Sequence, residues 1–234
     1  MEREPIFNIP PSVMAALGLL AAVHVGLQLL PMADANWTTL ALAFIPARYG
    51  SGLAEELPGG WEAAIASFAT YQLVHADITH LLVNGAWLLA FGSAVARRVG
   101  ALRFFLFATL CGAAGALLFL LLRWGELVPV VGASGAVSGL MAAALRFFFG
   151  AADRGDLDQL QSAPETVPLI SLAETLTNRR ILTVVVVWTI INFVMAMAVP
   201  ASAGGIAWEV HLGGFIVGLL TFGAFDRAHR RIAP

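Results

Sequence analysis

The chain has 234 residues, of which 59% are apolar and only 12% charged, and its mean hydropathy is +0.82. A soluble protein of this length needs a far more charged surface, so lipid is the solvent for most of the chain. The net charge of −2, with 13 arginines and no lysine, offers no basic patch for nucleic acid. The single Cys111 excludes a disulfide framework and a cysteine-based metal site.

Apolar runs long enough to cross a bilayer fall at roughly 13–30, 79–96, 101–122, 133–150, 181–199 and 207–225. They predict an all-α, polytopic bundle of six transmembrane helices forming one domain over 1–234. The fourth run is short and rich in glycine and serine. Before the first run, Met1-Glu2-Arg3-Glu4 lacks the positive bias of a signal peptide. The run itself exceeds the usual apolar stretch of roughly 7–15 residues, so it reads as a retained helix although Ala33-Asp34-Ala35 resembles a cleavage site.

Arginine placement predicts the orientation. Arg3, Arg97, Arg98, Arg103, Arg146, Arg154, Arg179, Arg180, Arg227, Arg230 and Arg231 fall on one side of a six-span arrangement, and only Arg48 and Arg123 on the other. The positive-inside rule then puts both termini in the cytoplasm. The second, fourth and sixth spans run in parallel, each beginning at the outer face. Small size and the lack of a targeting segment point to a bacterial inner membrane.

Two connections are long. The outer loop 31–78 holds Trp37, Phe44, Ile45, Pro46, Tyr49, Trp61 and Phe68. Trp61, Ile65 and Phe68 share a helical face, as expected of a segment lying in the membrane interface or of an aromatic belt. The polar connection 151–178, with Asp153, Asp156, Asp158 and two prolines, reads as a mobile cytoplasmic linker.

Polar side chains inside spans are costly, which makes them functional candidates. In the second span His80 and Asn84 are one turn apart, and His75 lies in the segment feeding it, with Asp77 or Thr79 available as a cap. At the start of the fourth, Ser134 is flanked by Gly132 and Gly135, where a helix N-terminus leaves N–H groups free for an oxyanion. The same residues also suit helix packing, through the Gly135/Gly139 pair. In the sixth, His211 lies near the outer end, followed by a second close-packing pair, Gly214 and Gly218.

Taken singly, each group has a structural explanation. Together they lie at similar depth on three co-directional helices. Ser134 as nucleophile, His211 as base, and an oxyanion held by Asn84, His80 and the Ser134 N–H make an acyl-transfer site below a membrane surface.

The order H-x4-H-x3-N, G-x-S-G and H-x2-G-x3-G on the second, fourth and sixth spans resembles the rhomboid family of intramembrane serine proteases, in a minimal six-span, bacterial-type form. The resemblance implies a Ser134–His211 dyad without a third acid, His80 and Asn84 as oxyanion-hole side chains, and His75 as the first motif histidine. The substrate implied is a transmembrane segment of another protein, cut near its outer end after a small residue. The fifth span and its loop, around 199–206, would be the gate, and neither metal nor cofactor is expected.

The chain also departs from the family. Ser138 stands where many members carry an aromatic residue stacked on the catalytic histidine, so its hydroxyl, Trp188 or Phe193 is expected to orient His211. Glu209 is expected to be solvated rather than a third catalytic member. Arg48 is the nearest match to the family's first-loop arginine. His24 and Gln28 are expected to hydrogen-bond within the bundle, and Cys111 to pack as a small residue. An inactive relative that binds membrane proteins is the alternative function. A solute transporter would be expected to show inverted repeats and broken helices, and neither is found. Oligomeric state is not readable.

Overall fold

A computed structural model describes residues 9–50, 52–198 and 205–226. Six helices are long and apolar enough to cross a membrane: Pro11–Leu29, Ile78–Val99, Ala101–Leu122, Ser134–Arg154, Arg179–Ala198 and Trp208–Phe225, the first to sixth spans. They lie within a few residues of the runs read from the sequence, in an all-α polytopic bundle. Among the described residues the only β-type pairing is an isolated bridge between Phe44 and Val130.

The second and third spans reverse direction at one residue, Gly100, whose φ of 83° lies where a side chain would be strained. The fourth span is the hub. Of its apolar window 83% is buried, against 6% for the fifth span. That burial explains its glycine- and serine-rich sequence, because small residues let neighbouring backbones approach. Its main core joins Val13 and Leu20 of the first span, Phe104 and Phe107 of the third, Leu140 and Phe147 of the fourth, and Phe222 of the sixth.

Close glycine contacts bind the fourth and sixth spans. A Cβ placed on Gly214 would lie 2.0 Å from the Gly135 carbonyl oxygen, and one on Gly218 would lie 2.5 Å from Gly139 Cα. The Cys111 side chain packs into the same seam from the third span, 2.3 Å from the position of a Gly139 Cβ.

The long loop between the first and second spans is folded. Helices Met32–Leu42 and Gly60–Thr70 flank a buried Arg48, whose guanidinium donates to the carbonyls of Leu40, Pro58 and Gly60 at 2.9, 2.9 and 3.3 Å. Arg48 therefore staples the loop from inside. Burial pushes its pKa below the ordinary arginine value, against the charge of Tyr49. Trp61 and Ile65 are exposed, while Phe68 turns inward to meet Phe44 edge-on at 4.8 Å.

The connection 151–178 differs from the expected mobile linker. Its first residues continue the fourth span, and short helices follow at Leu157–Ser162 and Leu172–Thr177, the latter opened by a Ser171/Glu174 capping box. Arg98 reaches into it, donating to the Pro164 and Val167 carbonyls at 2.7 Å each while pairing with Asp226 at 2.7 Å. Two otherwise orphaned carbonyls and a buried carboxylate thus tie the connection under the bundle.

Arg98, Arg103 and Arg146 all bond at this end, whereas Arg48 and Arg123 lie at the other. Arg3, Arg227, Arg230 and Arg231 lie outside the described residues, as do residues 199–204 of the expected gate loop.

Candidate active site

The second span begins where its sequence can cap it: the Asp77 carboxylate accepts from the His80 N–H at 2.8 Å. That fixes the first turn and places His80 and Asn84 on one face. Asn84 is buried, and its amide donates to the His80 carbonyl at 3.0 Å. An Nδ2 group has two hydrogens, so a second donor remains.

Facing this turn is the segment that leads into the fourth span. The Phe44–Val130 bridge holds it, with N–H···O distances of 3.0 and 2.9 Å, and the Gly132 N–H donates to the Tyr71 carbonyl at 2.9 Å. Gly132 has φ 118°, and a Cβ there would lie 2.7 Å from His80 Nε2 and 3.9 Å from Asn84 Nδ2. Only glycine permits both this backbone and this approach. His80 and Asn84 therefore converge on the turn two residues before Ser134.

Ser134 opens the helix and is half-buried. The first helical bond runs from the Val137 N–H to the Ala133 carbonyl at 2.9 Å. Helix geometry then leaves the N–H groups of Ser134, Gly135 and Ala136 directed outward, beside the two side chains of the second span.

His211 arrives from the sixth span. Val210, its neighbour, lies with Cγ1 2.9 Å from the position of a Gly135 Cβ, and Gly214, one turn on, touches Gly135. The first turns of the fourth and sixth spans are thus in backbone contact around Ser134 and His211. These two side chains form no hydrogen bond with one another in this structure. The third element of the seam is Tyr71, whose hydroxyl donates to the Gly112 carbonyl at 2.8 Å.

His75 is 3% exposed. Its Nε2 accepts from the Ala133 N–H at 3.4 Å, and its ring meets that of His80 edge-on at 5.0 Å. Burial first, and the His80 ring second, hold its pKa down at about 4, so the ring is neutral near pH 7. Its accepting nitrogen thereby supports the turn that leads into Ser134.

The expected ways of orienting His211 are occupied otherwise. Ser138 donates to the Ser134 carbonyl at 2.7 Å, Trp188 stacks on Phe215 at 4.8 Å, and Phe193 is exposed. Glu209 is 2% exposed rather than solvated, and it accepts from Arg123 Nε at 2.7 Å. That hydrogen bond, with the Glu209 charge, raises the Arg123 pKa. Gln28 is exposed while His24 is buried, and the two are not hydrogen-bonded.

The residue that does meet His211 is Asn192 of the fifth span, with Oδ1 2.5 Å from His211 Nδ1. Sequence reasoning passed over it. A single asparagine inside the apolar run VVVVWTIINFVMAMA was the available signal, by the same rule that singled out Asn84. Beside it a cleft of about 330 Å³ opens between the fifth and sixth spans, lined by Trp188, Thr189, Asn192, Phe193, Trp208 and Leu212 among others.

With this geometry established, comparison with protein-family models matches the Rhomboid domain over residues 62–225. The chain belongs to the rhomboid family. Members of that family are generally intramembrane serine proteases, and six apolar helices make this rhomboid an integral, multi-pass membrane protein. The match includes the second to sixth spans with every residue of the candidate site. It leaves the first span and the start of the outer loop outside. Comparison with curated protein sequences gives no match.

Proposed function

We propose that this rhomboid is an active intramembrane serine endopeptidase that cuts transmembrane segments of other membrane proteins near the outer face. The observation carrying the reading is the convergence of His80 and Asn84 on Gly132, at the outward N-terminus that begins with Ser134, next to the first turn of the His211 helix. Ser134 Oγ attacks the scissile carbonyl and passes its proton to His211. The developing oxyanion takes hydrogen bonds from His80, Asn84 and the Ser134 N–H, where exclusion of water strengthens each. His211 returns the proton to the leaving amine, and water entering from the outer side repeats the sequence to release the acyl group.

The chemistry needs no metal or cofactor. Both termini face the cytoplasm, by the arginine asymmetry, in a bacterial inner membrane. The loosely packed fifth span is the side through which a substrate helix reaches the site.

The test is labelling of the detergent-solubilised chain with a fluorescent fluorophosphonate. Wild type is expected to be labelled, and Ser134→Ala and His211→Ala to be blank while remaining folded. The absence of a Ser134–His211 hydrogen bond keeps one other reading in view, a relative that binds membrane proteins without cutting them. A folded wild type that neither labels nor cleaves a transmembrane peptide with an alanine-rich outer end would establish that reading instead.

A further inference from the structure

We propose that Asn192 is a positioning residue for His211, so that the catalytic pair works as a Ser134–His211–Asn192 chain whose third member sits on the fifth span. The inference rests on the serine-endopeptidase reading.

The orientation of the Asn192 amide follows from its partners. Nδ2 donates to the Trp188 carbonyl at 2.8 Å, and Oδ1 lies 2.5 Å from His211 Nδ1. Exchanging the two amide atoms would set the oxygen against the Trp188 carbonyl, two acceptors facing each other. The oxygen facing the ring can only accept. Nδ1 must therefore carry the imidazole proton, and Nε2 is left with the lone pair that a general base for Ser134 requires.

No other group among the described residues does this. The Ser138 hydroxyl is bonded to Ser134, and the Glu209 carboxylate to Arg123. The Trp188 ring is stacked on Phe215. His80 belongs to the facing second span and is seated on Gly132. A neutral amide in this role orients the ring and selects its tautomer without placing a carboxylate in the bilayer, where an unpaired charge is costly. Its helix contributes only Ile181 to the buried interior, so the hold on His211 is also among the fifth span's few polar attachments to the bundle.

The test measures the inactivation rate constant kinact and the binding constant KI of a fluorophosphonate probe on the solubilised full chain. In this reaction Ser134 Oγ forms a bond to phosphorus, fluoride leaves, and His211 Nε2 takes the proton. Asn192→Leu is expected to lower kinact about 10–100-fold, the usual penalty for a misplaced base, with KI and the thermal midpoint little changed. Asn192→Gln, which keeps both an amide oxygen for His211 Nδ1 and an amide N–H for the Trp188 carbonyl, is expected to restore part of the lost kinact.

Wild-type kinact in Asn192→Leu, with Ser134→Ala unlabelled, overturns the positioning role and leaves the endopeptidase reading standing. An Asn192→Gln variant no faster than Asn192→Leu, with the fold intact, overturns it as well. Equal labelling of wild type and Ser134→Ala removes the endopeptidase reading itself.

Discussion

Gly135 and Gly214 are in backbone contact beside Ser134 and His211, the proposed nucleophile and base, and Gly214→Ala should break that contact. The new Cβ would stand 2.0 Å from the Gly135 carbonyl oxygen, whereas real Cβ atoms essentially never come within 3.0 Å of a neighbour. The obstacle is backbone on the facing helix, so no side chain can swing aside. The outer ends of the fourth and sixth spans must separate by about 1 Å, an overpacking that costs about 1–3 kcal/mol. His211 lies one turn from the inserted methyl and Ser134 adjoins the displaced carbonyl, so the whole shift falls between them. A misplacement of this size lowers a rate about 10²-fold. The assay is cleavage of a quenched-fluorescent transmembrane peptide, with thermal unfolding followed in parallel. Gly18→Ala and Gly26→Ala serve as controls, because a Cβ at either position meets nothing within 4 Å. These controls should keep full activity and gain stability of roughly 0.5–1 kcal/mol from helix propensity. Wild-type turnover in Gly214→Ala would refute the claim that this contact sets the geometry of the site. Equal damage from Gly26→Ala would show that the bundle is merely intolerant of added volume.

Two further outcomes are expected. Asn84→Ala removes a donor from the proposed oxyanion site and should lower kcat about 10²–10³-fold with a nearly unchanged thermal midpoint; unchanged turnover would exclude Asn84 from that role. For His75, the folded pKa of about 4 lies below the ordinary 6.5, so the unfolded chain binds the proton first. Its contribution is therefore full above about pH 6.5 and is lost as the pH falls toward 4, up to about 3 kcal/mol in all. Thermal midpoints measured from pH 7.5 to 4 should fall less steeply in His75→Gln than in wild type, and parallel curves would refute the assignment.

The six spans were legible because a bilayer demands long apolar runs and offers no water to unpaired backbone, so length and hydropathy settle them. Ser134, His211, His80 and Asn84 were legible because each is polar where lipid penalises polarity, and because parallel spans bring separated motifs to one depth. Asn192 obeys the same rule but was submerged in a run of valines and isoleucines. Its partner is set by the register between the fifth and sixth spans, which no glycine seam marks. Glu209 read as solvated because the burial around it depends on Arg123, at the end of a different helix. The connection 151–178 read as slack because polar composition and prolines describe a linker equally well. What ties it down is arginine: Arg98 holds the carbonyls of Pro164 and Val167, 66 and 69 residues away, Arg146 holds that of Ile170 and Arg154 that of Pro168.

These misses share a physical cause. Apolar runs and glycine seams are local patterns that recur along one helix, whereas a hydrogen bond between two spans needs their relative rotation, which periodicity does not supply. The division of labour in the site follows the same line. The third, fourth and sixth spans meet at Gly115, Gly135, Gly139, Gly213, Gly214 and Gly218, where almost any added atom collides, and this hub limits how close the first turns of the Ser134 and His211 helices can come. Asn192 comes instead from the span with the least buried surface. On the proposed mechanism, a site built this way fixes the spacing of Ser134 and His211 at the glycine seam and leaves the tautomer of His211 to its contact with Asn192 on the fifth span. Outward motion of that span would admit a substrate helix and release His211 Nδ1 in the same step. Cleavage by the proposed mechanism would then require the span to return against the sixth before Ser134 is activated, which would separate admission of a substrate from attack on it.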